Sequence, residues 1–366
     1  MSNMYERLGV KRVINAWGTV TALGGSIMDE RVLEAMEEGA KSFVSMKELH
    51  EKAGAYIASI LGVEACCITC GAAAGLAIAT AACMTGMRKS FAYQLPDTAG
   101  MKDEILVLKC HRNLYDQSIS ETGAHFVEIG VTSHAFLQQV EDKISDRTCA
   151  LFYTIEAEEM RGSIPLKDLA ELLKPYRIPI IVDAAAEIPP AENIHKFLDE
   201  GASLVVFSGG KELRGPQASG LILGKKEYIR ACDMNCCPEY GIGRAMKIDK
   251  ENICGLVRAI ELFSKKDYQK ELERWASMSQ EMYERLRENP NLEVSLGTPS
   301  EPGVQPACIL RVFITPKHMT ATELHQRLIE GSPCVYTFLH GCEIMLNPQC
   351  LREEEVSAVV DAINSV

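Results

Sequence analysis

Two apolar stretches in the middle of the chain each lead into a charged residue, and this arrangement constrains the fold most. Residues 178–182 read I-P-I-I-V and end at Asp183, whereas residues 203–207 read S-L-V-V-F before S-G-G-K, whose amine is Lys211. Short apolar runs separated by a helix-like spacer are typical of neighbouring strands in a parallel sheet. Because the carboxyl ends of such strands meet at the ligand crevice, we expect an acid and an amine there.

The same alternation of short apolar runs and helical stretches extends over most of the chain. Predicted strands lie at residues 65–69, 104–108, 125–129, 149–153, 179–182, 203–207 and 220–223. This pattern predicts an α/β fold with a large, mainly parallel seven-stranded sheet. After residue 250 it changes to one amphipathic helical region, 253–288, and then to short strands and helices. We therefore predict an N-terminal arm and helix (1–45), a large domain (46–250), and a long connecting helix with a smaller C-terminal α+β domain (251–366).

The composition of the chain argues against some classes of binding partner. The net charge of −12 argues against a nucleic-acid-binding surface, because phosphate contacts need clustered Lys and Arg side chains. No apolar run reaches the length of about 18 residues that a membrane-spanning helix needs. The N-terminus shows no secretory signal, so we expect a cytoplasmic protein that binds a small molecule and neither nucleic acid nor membrane.

The 14 cysteines lie scattered, often inside apolar runs, which favours reduced and mostly buried thiols. Cys67 and Cys70 form a C-x-x-C, for which a redox pair or half of a zinc site is the alternative interpretation. No second cysteine or histidine pair completes four ligands, so we predict no metal.

Pyridoxal phosphate is the cofactor that best suits Asp183 and Lys211. Desolvation lowers the pKa of a lysine and makes its amine a nucleophile, so Lys211 is the candidate Schiff-base lysine. Asp183 would pair with the protonated pyridine nitrogen, which keeps the ring an electron sink. The alternatives are a solvated loop lysine for Lys211 and a helix N-cap for Asp183.

Two further groups of residues suit the same cofactor. In C-G-A-A-A-G, residues 70–75, the backbone amides of Gly71, Ala72 and Ala73 would begin a helix and could bind the phosphate, to which Ser208 could add its hydroxyl. Small residues also mark tight helix packing. His111 follows the predicted strand 104–108 and could stack on the pyridine ring, although a lone histidine is more often structural.

The chain resembles the selenocysteine-synthase-like branch of the fold type I pyridoxal phosphate enzymes, and within it the D-glucosaminate-6-phosphate ammonia-lyases. The motifs that carry this resemblance are R-V-I-N-A-W-G-T-V-T-A-L-G-G-S, C-G-A-A-A-G, H-R-N, V-D-A-A-A-E-I-P-P, F-S-G-G-K-E-L-R-G-P-Q and G-R-A-M-K-I-D-K-E-N-I-C-G-L. It implies an aspartate-aminotransferase-like fold, a homodimer or higher homo-oligomer, and an N-terminal arm near Asn15 that lines the substrate side.

The resemblance also carries roles to individual residues. It implies that Lys211 attaches the cofactor, Asp183 contacts the pyridine nitrogen and His111 stacks on the ring, with Gly71, Ala72 and Ser208 at the phosphate. Four residues that match the branch pattern could hold a substrate phosphate or carboxylate: Arg214, Gln217, Arg244 and Lys247. A surface position is the alternative for Lys247.

Two positions stand apart from this pattern. Cys70 occupies a place where many relatives have serine, so a hydroxyl at the predicted phosphate turn is replaced by a thiol. Arg311 lies in the apolar run C-I-L-R-V-F-I, and a buried arginine needs an anion, either the substrate carboxylate or one of the chain's own acids.

The resemblance implies a lyase that acts on a hydroxylated amino acid, either free or phosphorylated, such as D-glucosaminate 6-phosphate. The expected products are a 2-keto-3-deoxy acid and ammonia. Aminotransfer, racemisation, cysteine or selenocysteine lysis and selenium transfer remain alternatives, as does a non-catalytic protein with the same fold.

Overall fold

A computed structural model describes residues 3–158, 160–299 and 306–366 of the chain. The chain forms two compact units, a larger one of Met28–Lys266 and a smaller one that combines Met1–Ile27 with Asp267–Val366. These boundaries differ from the predicted divisions at 45/46 and 250/251. The described helices include none with the length and apolarity needed to cross a bilayer.

The strands in chain order are β1 Ile14–Ala16, β2 Ala65–Thr69, β3 Glu104–Leu108, β4 His125–Ile129, β5 Thr148–Thr154, β6 Ile180–Asp183, β7 Leu204–Ser208, β8 Gly220–Gly224, β9 Leu292–Gly297, β10 Arg311–Pro316, β11 Val335–His340 and β12 Glu343–Leu346. The α-helices are α1 Met4–Leu8, α2 Glu30–Ala40, α3 Met46–Leu61, α4 Ala72–Thr85, α5 Lys89–Gln94, α6 Asp116–Ser120, α7 Leu137–Glu141, α8 Leu166–Leu173, α9 Asn193–Asp199, α10 Lys226–Asn235, α11 Lys250–Phe263, α12 Tyr268–Leu286, α13 Ala321–Glu330 and α14 Glu355–Asn364.

The larger unit is built on a seven-stranded sheet with the order β2-β8-β7-β6-β5-β3-β4. Strands β4, β3, β5, β6 and β7 run parallel, and β8 is antiparallel to both of its neighbours. The predicted α/β fold with a mainly parallel seven-stranded sheet is therefore confirmed. Strands β5 to β8 are buried almost throughout, which is why they appear in the sequence as continuous apolar runs.

Helices α2 and α3 show how local sequence sets the helix ends. Asp29 accepts a hydrogen bond from the Arg31 amide at the start of α2, and Ser45 caps α3 in the same way through the Glu48 amide. Gly62 ends α3 in the left-handed region at φ 67°.

The smaller unit has a five-stranded sheet with the order β1-β11-β12-β10-β9. The N-terminal arm supplies β1, which pairs in parallel with β11 through Asn15 and Tyr336. The predicted single helical region at 253–288 is two helices, because the chain leaves α11 at Ser264 and Asp267 caps a new helix, α12, by accepting from the Lys270 amide. Trp275, Met278 and Met282 of α12 pack into this unit's core.

Candidate active site

The carboxyl ends of four adjacent parallel strands bring the predicted chemical groups of the larger unit to one edge of the sheet. In spatial order, β3 leads to His111, β5 to Glu156, β6 ends at Asp183, and β7 leads to Lys211. Asp183 is in register with Thr154 on one side and with Val206 on the other. Asp183 and Lys211 interact electrostatically, so the structure brings together the acid and the amine that the sequence placed on neighbouring strands.

Lys211 lies in a turn that only small residues allow. Its carbonyl accepts a hydrogen bond from the Arg214 amide at 3.0 Å, and Arg214 itself has a left-handed φ of 53°. A Cβ atom on Gly210 would lie 2.4 Å from Cα of Gln217, so the glycine permits this close approach of the two chain segments. Burial lowers the pKa of Lys211, although the nearby carboxylates oppose the shift. The solvated-loop alternative for this amine is not supported.

Glu212 stabilises the same turn and was not singled out from the sequence. Its side chain is buried and accepts a hydrogen bond from Lys266 Nζ at 2.7 Å, and Arg214 Nε lies 3.9 Å from the same oxygen, Oε1. A buried carboxylate needs such a partner. Glu212 therefore anchors the segment that carries Lys211.

Asp183 is buried, and burial raises its pKa while Lys211 opposes the rise. Its Oδ1 accepts a hydrogen bond from the Ala185 amide at 3.0 Å. This is the kind of contact expected from the alternative role of Asp183, in which its side chain caps the following turn. Within the described residues, Oδ2 makes no hydrogen bond. One oxygen thus stabilises the turn, and the other is the atom suited to a protonated ring nitrogen.

Two more carboxyl groups, missed in the sequence, belong to this edge. Glu156 lies two residues after β5 and is half-buried, and Glu187 lies four residues after Asp183 and is 7% exposed. Burial, together with the nearby Glu156 and Asp183, raises the pKa of Glu187 to about 8, against the opposing effect of Lys211. The pKa of Glu156 is also raised, by burial and by Asp183. The strand-end rule that found Asp183 could have found both residues.

The predicted phosphate turn lies at the same edge, between β2 and α4. Gly71 precedes α4 with φ 144°, and no side chain caps the helix. A Cβ atom on Gly71 would meet nothing within 4 Å, so there is open space above the amides of Ala72 and Ala73. Gly220 is in register with both Thr69 and Ser208 across β8, which places Ser208 two strands away from the turn. These residues fit a bound phosphate group.

His111 lies at this edge but has almost no free surface. Its Nδ1 accepts a hydrogen bond from the Thr154 amide at 3.0 Å, so Nε2 carries the proton and donates to Ser163 Oγ at 2.8 Å. Its ring packs against Tyr153 with centroids 4.4 Å apart, and burial lowers the pKa of His111 to about 4. Since its side chain is 1% exposed, ring stacking on a cofactor would require a local rearrangement and stays a prediction.

The predicted substrate residues of the larger unit differ in exposure. Arg214 is half-buried, whereas Gln217, Arg244 and Lys247 are exposed. The positive charges of Arg244 and Lys247 both act to lower the pKa of the Cys237 thiol, so the two cations lie near one another. The exposure of Lys247 agrees with its alternative interpretation as a surface residue.

In the smaller unit, Asn15 and Arg311 behave differently. Asn15 Oδ1 accepts from the Trp17 and Gly18 amides, and Nδ2 donates to the Gly18 carbonyl at 2.9 Å. Its amide is thus engaged in a local turn, which does not favour the predicted substrate contact. Arg311 is 2% exposed and forms no ion pair with any described residue, so the alternative of an internal salt bridge has no support in the described chain.

The C-x-x-C motif does not stand out chemically. Cys67 and Cys70 are free thiols, and hydrogen bonding with Cys236 and burial raise the pKa of Cys67 far above the usual range. In the described ranges no three histidine, cysteine or acidic side chains are grouped as metal ligands. A buried, protonated thiol is a poor nucleophile.

Comparison with known proteins places these features in a family. Residues 13–296 match the L-seryl-tRNA selenium transferase family. The chain is 31% identical over its full length to D-glucosaminate-6-phosphate ammonia lyase from Salmonella typhimurium strain 14028s / SGSC 2262, of which it covers 98%. It is also 31% identical to 5'-C-glycyluridine monooxygenase-decarboxylase from a Streptomyces species, with 97% of this chain and 90% of that protein covered.

Solved structures agree with this placement. A structure of D-glucosaminate-6-phosphate ammonia-lyase matches with a TM-score of 0.86 and 30% identity, covering 100% of this chain and 98% of that one. A serine palmitoyltransferase solved with pyridoxal phosphate matches with a TM-score of 0.63 and 13% identity, over 96% of this chain and 87% of that one, which concerns the fold alone. The chain therefore belongs to the L-seryl-tRNA selenium transferase family and is a fold type I enzyme that depends on pyridoxal phosphate.

Proposed function

We propose that this enzyme is an ammonia-lyase that removes water and ammonia from a hydroxylated amino acid. D-Glucosaminate 6-phosphate or a related amino-sugar acid is the first candidate substrate, and a 2-keto-3-deoxy acid is the product. The observation that carries the proposal is the half-buried Lys211, whose amine has a pKa lowered by desolvation and interacts with Asp183 and two further carboxyl groups. The full-length similarity to an ammonia lyase supports the same reaction class.

The residues divide the work as follows. Lys211 would attach the cofactor and, once released, take the proton from Cα of the substrate, because its lowered pKa favours the neutral amine. Asp183 would hold the ring nitrogen, and Gly71, Ala72, Ala73 and Ser208 would hold the phosphate. Pyridoxal phosphate, when bound, withdraws electrons from Cα and so weakens that C–H bond.

Arg311 would bind the substrate carboxylate, because its buried guanidinium has no acidic partner among the described residues. Arg214, Gln217, Arg244 and Lys247 stay candidates for a substrate phosphate. We further propose that the enzyme is cytoplasmic and works as a homodimer or higher homo-oligomer. The net charge of −12 disfavours a tRNA substrate, which makes selenium transfer the weaker alternative.

The test is a substrate panel with purified enzyme, which should absorb at about 410–430 nm when it carries the cofactor. Free and phosphorylated amino-sugar acids and both enantiomers of serine and threonine are assayed for ammonia and 2-keto acid. Keto acid that forms only when a second keto acid is added would indicate an aminotransferase instead. Because one relative is a monooxygenase-decarboxylase, oxygen uptake and CO2 release are measured in parallel.

A further inference from the structure

Two carboxyl groups at the active-site edge have no role in the functions assigned so far. Glu187 and Glu156 follow β6 and β5, the strands next to each other in the sheet, and Lys211 follows β7 on the other side of β6. Glu187 is 7% exposed, and its backbone is fixed by a hydrogen bond from Asn193 Nδ2 to its carbonyl at 2.6 Å. The Glu187 carboxyl group is close enough to the Lys211 amine for the two to interact electrostatically.

The charged groups around Glu187 are mostly of its own sign. Those that act on it are Glu156, Asp183 and Glu158, which disfavour its ionised form, and Lys211, which favours it. The acids that act on the Lys211 amine are Asp183, Glu156 and Glu187, and three acids beside one amine in a poorly solvated space cannot all be ionised without a large cost. Asp183 is set aside because it is proposed to pair with the ring nitrogen. Of the remaining acids, Glu187 is the most buried, and it is therefore the group on which a proton stays at neutral pH.

We propose that the Glu187 carboxyl donates a proton to the hydroxyl group that leaves from Cβ of the substrate. The negative charge of Glu156 favours the protonated form of Glu187 before that transfer. This proposal rests on the proposed ammonia-lyase function. Lys211 takes the proton from Cα, and the electron pair of that C–H bond forms the Cα=Cβ double bond. The C–O bond breaks with its electrons on oxygen, the Glu187 proton completes water, and the proton on Lys211 later restores Glu187.

The physical reason for a separate acid is that hydroxide is a poor leaving group, whereas water is a good one. A general acid contributes roughly 10²–10⁴-fold when its proton-transfer properties match the working pH. Lys211 and Glu187 follow the adjacent strands β7 and β6, and their surroundings lower the pKa of the amine and raise the pKa of the carboxyl group. Such a pair is the arrangement in which one group acts as base and the other as acid.

The first test needs no cofactor and no turnover. Apoprotein of the wild type, of Glu187→Gln and of Glu171→Gln, an exposed carboxyl on α8, is unfolded across pH 5 to 9. We expect the wild type and Glu171→Gln to release one more proton on unfolding at pH 7 than Glu187→Gln does. Equal proton release in all three proteins would show that Glu187 is ionised and would overturn the proposal.

The second test compares leaving groups. Chloride leaves without protonation, so Glu187→Gln should lose roughly 10²–10⁴-fold in kcat/KM with D-glucosaminate 6-phosphate and less than about tenfold with β-chloro-D-alanine or β-chloro-L-alanine. Equal losses for both leaving groups would refute an acid role and indicate a structural one. If the wild type releases no ammonia from any hydroxylated amino acid, the proposed function fails, and the proton count still reports on Glu187.

A second variant keeps the proposal testable if Glu187→Gln folds poorly. Glu156→Gln removes a negative charge that favours the protonated form of Glu187. The loss of kcat/KM toward high pH should therefore begin at a lower pH in Glu156→Gln than in the wild type. An unchanged alkaline limb would contradict the coupling of the two carboxyl groups.

Discussion

Replacement of Arg311 by methionine should stabilise the apoprotein while impairing the enzyme. The side chain is 2% exposed, Nη2 donates to the Pro306 carbonyl at 3.0 Å, and Nη1 lies 3.6 Å from Met345 Sδ. Nε has no hydrogen-bond partner among the residues that the structure describes. A buried cation with one good hydrogen bond and no counter-ion among the described residues costs folding free energy.

The size of this cost follows from the pKa. Burial lowers the pKa of Arg311 from 12.5 to about 10. At about 1.4 kcal/mol for each pH unit, the charged side chain costs about 3 kcal/mol on folding. Because the folded pKa is the lower one, this penalty is fully present below pH 10 and falls as the pH rises from there toward 12.5. Loss of the Pro306 hydrogen bond costs about 1 kcal/mol, so Arg311→Met should gain about 2 kcal/mol at pH 7.

Urea unfolding of the apoprotein at pH 7 measures this gain, with Arg327→Met, an exposed position on α13, as the matched control. In the loaded enzyme, loss of one or two charged hydrogen bonds to a substrate carboxylate should cost about 2–5 kcal/mol. That corresponds to roughly 30-fold to several thousand-fold in kcat/KM. Destabilisation of Arg311→Met by 2 kcal/mol or more would refute the reasoning, because the guanidinium would then be a structural group.

Three further predictions concern the cofactor. Lys211→Ala should lower kcat at least about 10³-fold and abolish retention of the cofactor after borohydride reduction. Lys225→Ala, which replaces an exposed lysine, should do neither, and mass spectrometry of the reduced proteins measures the retained cofactor. Asp183→Asn should reduce kcat by roughly 10²–10⁴-fold with the cofactor still bound, as absorbance and turnover will show. Gly220→Ala should weaken cofactor binding about tenfold or more, because its Cβ would lie 2.7 Å from the Gly71 carbonyl carbon; titration of apoprotein measures this.

The strands and helices that the sequence predicted well are those whose burial is uniform or whose ends are capped. β2 and β3 have the predicted bounds because each is a short apolar run between polar segments. β4 also has the predicted bounds, although its His125 and Glu128 are exposed. α3 begins after the Ser45 cap and ends at Gly62. By contrast, α10 was missed because few of its positions are apolar and buried, and its charged start reads as a loop.

Long-range pairing explains what local patterns could not supply. β1 has three residues, too few for a periodic signal, and it exists because Asn15 pairs with Tyr336 at the other end of the sequence. The N-terminal boundary of the compact units differs from the predicted one for the same reason, since the arm that carries β1 belongs to the smaller unit. The absence of an acidic partner for Arg311 in the described chain could only be found with the residues around it in place.

The site residues divide in the same way. Asp183 and Lys211 were found from the rule that parallel strands deliver their carboxyl ends to one edge, and that rule depends only on order and burial. Glu156 and Glu187 also follow strands of that edge, but their protonation states depend on how many other carboxylates lie near them, which the sequence does not show. Residue type alone does not decide the role of His111, whose ring nitrogens are both engaged and whose surface is covered, so its stacking on the cofactor ring stays a prediction.

The charge balance of the site links the cofactor to the proposed acid. Asp183, Glu156 and Glu187 against Lys211 leave an excess of two negative charges if all four groups ionise. A buried space does not tolerate that excess, so two positive charges or protons must enter. A protonated pyridine nitrogen against Asp183 would supply one, and a proton retained on Glu187 would supply the other. The two proposed assignments would account for the charges together, and experiment can separate them, because Glu187→Gln leaves the Asp183 side chain in place for the proposed contact with the ring nitrogen.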